Sequence, residues 1–213
     1  LAMIFATSIG ATITYLRNEK VVVKLGLYLA PVVLIGATFG FYFHLRAGET
    51  TLLLLFSFVL FITSIKIFTS PITAYNGAEN GFFSFSREKI LKKYLFLAFF
   101  LSFLAGFFSA SLGIGGGVLF VPVLHLVLAV PMINSVGTSS FMIVFTAAYS
   151  LLLYGSFGHV DLVLALPLAI VAFFGAFSGS RFALSYVKVE IIRKLFALVL
   201  IIVAIRMLLR SVF

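Results

Sequence analysis

Long apolar runs separated by short polar breaks organise the whole chain. The runs cover residues 1–16, 21–43, 51–70, 94–112, 116–130, 132–155, 160–183 and 189–209. Most approach the ~20 residues that a helix needs to cross the hydrocarbon core of a bilayer. A membrane-spanning strand would instead alternate polar and apolar over about ten residues, and no run does so. The pattern therefore predicts an all-α fold, a polytopic transmembrane helix bundle. Two runs, 94–112 and 116–130, flank Gly113-Ile114-Gly115-Gly116-Gly117, and the second is short. They fit either two spans or a re-entrant pair, and both options return the chain to the side it left. The polar stretch 71–93 holds Pro71, Asn76, Gly77, Asn80, Gly81 and several Ser, and reads as a linker.

Composition agrees with the pattern and removes other classes. Of 213 residues, 63% are hydrophobic and 10% charged, with a mean hydropathy of +1.26. A soluble domain is nearer half apolar and a quarter charged. A soluble enzyme, a disordered chain and a nucleic-acid-binding domain are excluded on that ground. With no Cys, 3 His and 6 acidic residues, thiolate chemistry is absent and a metal centre has few ligands to draw on. No cofactor is expected, and the lipid bilayer is the first partner.

Charge adds a topology. If sides alternate along the chain, Arg17, Lys20, Lys24, Lys66, Arg87, Lys89, Lys92, Lys93, Arg181, Lys188, Arg193 and Lys194 fall on one face. Arg46, Arg206 and Arg210 fall on the other. Twelve of the 15 basic residues on one side mark it as cytoplasmic. The linker 71–93 is then cytoplasmic, and the connection 155–161 and the C-terminus are external.

The chain also resembles itself. Shifted by about 139 positions, Gly36-Ala37-Thr38-Phe39-Gly40 falls on Gly175-Ala176-Phe177-Ser178-Gly179, Thr7 on Thr146 and Tyr15 on Tyr154. The basic connection after Tyr15 lies inside, whereas its partner after Tyr154 has no Lys or Arg and lies outside. Repeats of opposite orientation are a hallmark of many secondary transporters. The expected organisation is 1–70 as the C-terminal part of repeat 1, 71–93 as linker and 94–213 as repeat 2. Residues 94–139 have no counterpart ahead of Leu1, so an equivalent upstream segment is expected.

The segment from Gly106 to Pro122 carries the most distinctive chemistry. It is no dinucleotide fingerprint, because Val118 takes the place of the third Gly, and no Gly-Lys-Ser/Thr follows to make a phosphate loop. Four glycines in five residues, Gly113, Gly115, Gly116 and Gly117, break a helix. Irregular backbone at membrane depth is tolerated only where it lines a cavity or is buried in protein. A helix restarting there would aim free N–H groups and a positive dipole end at its surroundings, which favours an anion. The plainer reading is that these glycines only let helices cross closely.

This segment, followed by Asn134-Ser135-Val136-Gly137-Thr138-Ser139-Ser140 and the Gly175–Gly179 motif, resembles the sulfite exporter TauE/SafE family of membrane permeases. The resemblance covers the whole chain, with the specific motifs in the second half; Ala6-Thr7-Ser8 echoes only the tail of the motif in the first. It implies a membrane transporter, most often an exporter, of small sulfur oxyanions such as sulfite or organosulfonates, in a prokaryotic plasma (inner) membrane.

Candidate substrate-binding groups are Ser109, Ser111, Gly113, Gly115, Gly116, Gly117, Asn134, Thr138, Ser139 and Ser140, with Thr7 and Ser8 as first-half equivalents. Hydroxyls and backbone N–H groups can replace the hydration of an oxyanion, although Ser and Thr in helices more often bond back to the preceding turn. His125 is a candidate for a coupling proton, the alternative being a hydrogen bond to a neighbouring helix. Arg181 is a candidate for anion steering or an interfacial snorkelling residue. No acidic residue is central to an apolar run, which suits an anion rather than a cation. The rival class is a non-transporting membrane scaffold or subunit. An enzyme is not expected, since His125 has no nearby carboxylate and neither HExxH nor GxSxG occurs.

Overall fold

The computed structural model describes residues 1–46, 49–69, 88–113, 117–157 and 162–212. These residues are helical and contain no strand. The helices are α1 (Ala2–Arg17), α2 (Val23–His44), α3 (Glu49–Thr69), α4 (Glu88–Leu112), α5 (Gly117–Pro122), α6 (Met132–Ser156), α7 (Leu162–Tyr186) and α8 (Val189–Val212). Four stretches are long and apolar enough to cross a membrane: Val23–His44, Leu52–Thr69, Met132–Ser156 and Ala165–Tyr186. Helix boundaries follow the apolar runs closely. One difference is that α4 takes in 88–93, read from sequence as linker. Glu, Lys and Leu there are good helix formers, so propensity extends the helix into polar sequence. The remainder of that linker, 70–87, lies outside the described residues.

Helix α5 continues directly into a π-helical turn, Val123–Val127. Pro122 supplies no amide hydrogen and crowds the preceding carbonyl, a common reason for a helix to widen. Together they make 11 residues, about 16 Å of rise, half the hydrocarbon thickness. The segment is deeply enclosed, with Phe120, Leu124 and His125 among the most buried side chains.

Helix α2 carries lateral contacts on both flanks. On α2, a Cβ added at Gly26 would come within 2.8 Å of the Phe141 ring, the Thr38 and Tyr149 hydroxyls lie 2.9 Å apart, and Phe41 packs edge-on to Tyr154. These contacts ascend together, so α2 and α6 run parallel. On its other flank, Gly36 and Gly40 abut the backbone of Phe103 and Phe107 in α4, and Gly106 abuts Val33. In α1, a Cβ added at Gly10 would come within 2.7 Å of the Phe173 carbonyl oxygen and Thr14 donates to the Phe177 carbonyl at 3.5 Å, so α1 and α7 are parallel too. Helices α3 and α8 are joined by Ser64, which donates to the Ala197 carbonyl at 2.9 Å. Lipid tails give no hydrophobic gain for apolar contacts between helices, so association depends on this close packing and these hydrogen bonds.

Candidate substrate path

The start of α6 gathers several polar groups. Pro131 precedes the helix, and no side chain caps its first turn. The preceding π turn ends with Ala129 at a φ of 52°, and the Val130 carbonyl accepts from Ser135 at 3.1 Å. It also accepts from Nδ1 of His125 at 2.9 Å. A carbonyl only accepts, so Nδ1 carries the proton in the neutral ring and Nε2 holds the lone pair. His125 thus fastens the turn into α6.

Arg193, on α8, is 8% exposed and lies within electrostatic reach of the His125 ring. In the sequence, Arg193 stood out only as a topology marker. Its signal was spacing: it shares a helical face with the buried Ala197, Leu200 and Ala204.

The predicted residues divide into two groups. Ser109, Ser111 and Gly113 lie at the end of α4, where the Ala110 carbonyl accepts from the Tyr154 hydroxyl at 2.9 Å. Asn134, Thr138, Ser139 and Ser140 lie at the opposite end of α6, about 24 Å of helix rise from Tyr154. The short connection that brings them near in sequence is occupied by the enclosed α5, which separates them in space. Gly117 opens α5, and Gly113 has a φ of 66°, which favours glycine. Gly115 and Gly116 lie outside the described residues.

Most of the candidate hydroxyls are engaged within their own helices. Thr7 donates to Ile4, Ser8 to Phe5, Ser111 to Phe108, and both Ser139 and Ser140 to Val136. Ser109 is buried and Asn134 half-buried. Thr138 has a cross-helix role: its hydroxyl accepts from the Val22 amide at 2.9 Å, beside Gly137, which packs on Lys20 and Tyr15. Thr138→Val is expected to strand that amide at a cost of about 1–2 kcal/mol. The unfolding midpoint should fall by several degrees and Thr138→Ser should restore it. An unchanged midpoint for Thr138→Val would remove the role.

Arg181 stands apart from both groups. It is exposed on α7, with its guanidinium 5.1 Å from the centre of the Phe177 ring. Thr12, Ser102 and Ser150 carry no signal in the sequence. Each buries a hydroxyl oxygen that meets no hydrogen-bond partner among the described residues. Such groups are uncommon in folded proteins and costly unless water or a ligand satisfies them. Isolated Ser and Thr in apolar helices carry no sequence mark separating these from back-bonded ones.

Apolar spanning helices with a sparse polar interior define the class, a polytopic integral membrane protein. Residues 1–207 match the family Sulfite exporter TauE/SafE, and the chain belongs to that family. It is 26% identical over 189 residues to the probable membrane transporter protein YunE of Bacillus subtilis (strain 168), a match covering 84% of this chain and 68% of that one. It is 31% identical over 114 residues to the probable membrane transporter protein ORF9 of Sinorhizobium sp, covering 54% of this chain and 41% of that one. No solved structure matches it. The chain is thus a membrane transporter by family, with a small-molecule substrate and a lipid environment.

Proposed function

We propose that the protein moves small sulfur-containing anions, such as sulfite or organosulfonates, across the prokaryotic inner membrane by alternating access between two inverted repeats. The observation that carries this reading is the sign of the buried polar groups. Among residues with described side chains, the buried polar set is hydroxyls, His125 and Arg193, without a carboxylate. A cation path would need acidic or carbonyl ligands, whereas this set offers positive charge and hydrogen-bond donors.

The anion would engage the first turn of α6, where backbone N–H groups and the helix dipole favour negative charge. Arg193 would supply a full charge from α8, and His125 would carry a coupling proton. The unsatisfied hydroxyls of Thr12, Ser102 and Ser150 suit a hydrated or substrate-contacting path. Helix direction supports inversion. The short connection from α1 to α2 reverses the chain, α1 is parallel to α7, and α2 is parallel to α6. Each helix therefore opposes its own repeat partner, α1 to α6 and α2 to α7. In the charge-based topology, the α1–α2 connection and the linker are cytoplasmic and the C-terminus is external.

The test is flux. The protein from its complete reading frame, reconstituted in liposomes, should show saturable transport of radiolabelled sulfite, or of taurine or sulfoacetate. Folded protein with no saturable flux of any small oxyanion would defeat the proposal and leave a non-transporting scaffold or subunit.

A further inference from the structure

We infer that the crevice between the C-terminal ends of α1 and α7 is a binding site for an anionic phospholipid, whose phosphate is held by Arg17 and Arg181. The site lies apart from the candidate path, and it depends neither on the substrate nor on the repeat.

Two facing stripes bring the guanidiniums to one place. On α1, Gly10, Thr14 and Arg17 recur at helical spacing on one side, and on α7 Phe173, Phe177 and Arg181 do the same. The deeper parts of the stripes touch. A Cβ added at Gly10 would come within 2.7 Å of the Phe173 carbonyl oxygen and 3.2 Å of the Phe177 amide nitrogen, and the Thr14 hydroxyl donates to the Phe177 carbonyl. Because the helices are parallel, one further turn carries both stripes to an arginine at the same level. Arg17 closes α1, and Arg181 stands about a turn ahead of the end of α7 at Tyr186. Both side chains are exposed, and neither meets a carboxylate among the described residues.

Two like charges on closely packed backbones repel unless an anion stands between them. A phosphate diester answers both, since each guanidinium can aim two parallel N–H donors at phosphate oxygens. The bilayer supplies that group at this level, because long basic side chains near the ends of spanning helices reach the headgroups. The surface leading down from Arg181 is apolar. The Phe177 ring lies under its guanidinium, 5.1 Å from ring centre to charge. Phe174 and Ile170, about two and three turns deeper on the same side of α7, are 62% and 58% exposed and offer a wall for acyl chains. Lys20, Lys24 and Lys188 stand in or beside the connections at this end of the bundle, where the acids are Glu19 and Glu190. The local field therefore favours an anionic headgroup over a zwitterionic one. A free oxyanion could reach the same donors, but it has no chains for the apolar wall to cover.

The test titrates the protein from its complete reading frame, stripped of lipid in detergent, with phosphatidylglycerol or with phosphatidylcholine of the same acyl chains. The rise in unfolding midpoint is the readout. Phosphatidylglycerol should act at lower concentration, and Arg17→Gln and Arg181→Gln should each weaken its effect about fivefold. The double variant should respond to the two lipids alike. Arg181→Lys keeps the charge but not the planar fork and should weaken the effect by less. Lys194→Gln, which removes an exposed charge on α8 at the same end, should leave the preference intact. An equal response of the parent to the two lipids, or a preference that survives in the double variant, overturns the site. An equal loss in Lys194→Gln makes the preference a matter of net charge and overturns it as well. If millimolar inorganic phosphate raises the parent's midpoint as phosphatidylglycerol does, and the double variant loses that rise, the pair binds free anions and the lipid assignment fails. No arm measures transport, so the sulfur-anion reading stands or falls separately.

Discussion

Gly106→Leu is expected to prevent recovery of folded, monodisperse protein. At Gly106, Gly36 and Gly40 the nearest obstacles to an added Cβ are backbone atoms of the facing helix, Val33 for the first and Phe103 and Phe107 for the others. A flexible side chain could swing aside, but a helix backbone must move as a body. Separating α2 from α4 would also pull apart the aromatic contacts Phe39–Phe103 and Phe43–Phe107, with ring centres 6.0 and 5.4 Å apart. Overpacking typically costs about 1–3 kcal/mol, and a clash between two backbones belongs above that range. Without a hydrophobic drive between helices in lipid, little else would hold the pair. Gly155 provides the control, because an added Cβ there meets nothing within 4 Å. Gly155→Ala should be neutral or stabilising by up to about 1 kcal/mol, through helix propensity alone. Size-exclusion profile and unfolding midpoint are the readouts. A midpoint for Gly106→Leu within about 2 °C of the parent would refute the close crossing.

Arg193→Gln should reduce sulfur-anion transport by roughly 10- to 150-fold while leaving the protein inserted and folded. Charge-assisted hydrogen bonds are worth about 1.5–3 kcal/mol, and each 1.4 kcal/mol is a factor of ten. Arg193 is the charged side chain that α8 carries into the interior, within electrostatic reach of His125, whose ring bonds the Val130 carbonyl just ahead of α6. Gln keeps much of the length and polarity but not the charge. Arg193→Lys should retain part of the activity, because a point charge survives while the planar fork is lost. The loss should appear mainly as a raised KM, measured in proteoliposomes, with the unfolding midpoint checked in parallel. Unchanged KM and maximal rate for Arg193→Gln would remove Arg193 from the path. A large fall in midpoint together with lost flux in Arg193→Lys as well would make its role structural.

The bundle was legible in the sequence because membrane burial is a property of whole segments. A run such as 21–43 must satisfy its own backbone in lipid, which only a helix can do without partners. Its helix, Val23–His44, accordingly follows the run within two residues at either end. The likeness of Gly36–Gly40 to Gly175–Gly179 was legible for a related reason: a shared G-A-x-x-G is a local motif whatever surrounds it. The polar groups were harder to read. Ser139 and Ser140 look like donors on a one-dimensional chain, but their hydroxyls bond back to Val136, one turn away in the helix. Thr138, next to them, turns instead to Val22. Rotamer choice and neighbouring helices decide between these outcomes, and neither is encoded in residue type.

By itself, then, the sequence determined the helical class, the spans, the family and the shortage of interior acids. These follow from hydropathy, backbone hydrogen bonding and local motif, which act over a turn or a bilayer's width. Tertiary structure decided which glycines are seats and which lie open. It buried Arg193 within electrostatic reach of His125, on elements distant in the chain, and it separated the Ser109–Ser111 end from the Asn134–Ser140 end. Such relations depend on which backbones approach within van der Waals contact. The same five-residue pattern is a packed crossing in α2 and an open face in α7, because a neighbouring helix, not the pattern, fills the groove.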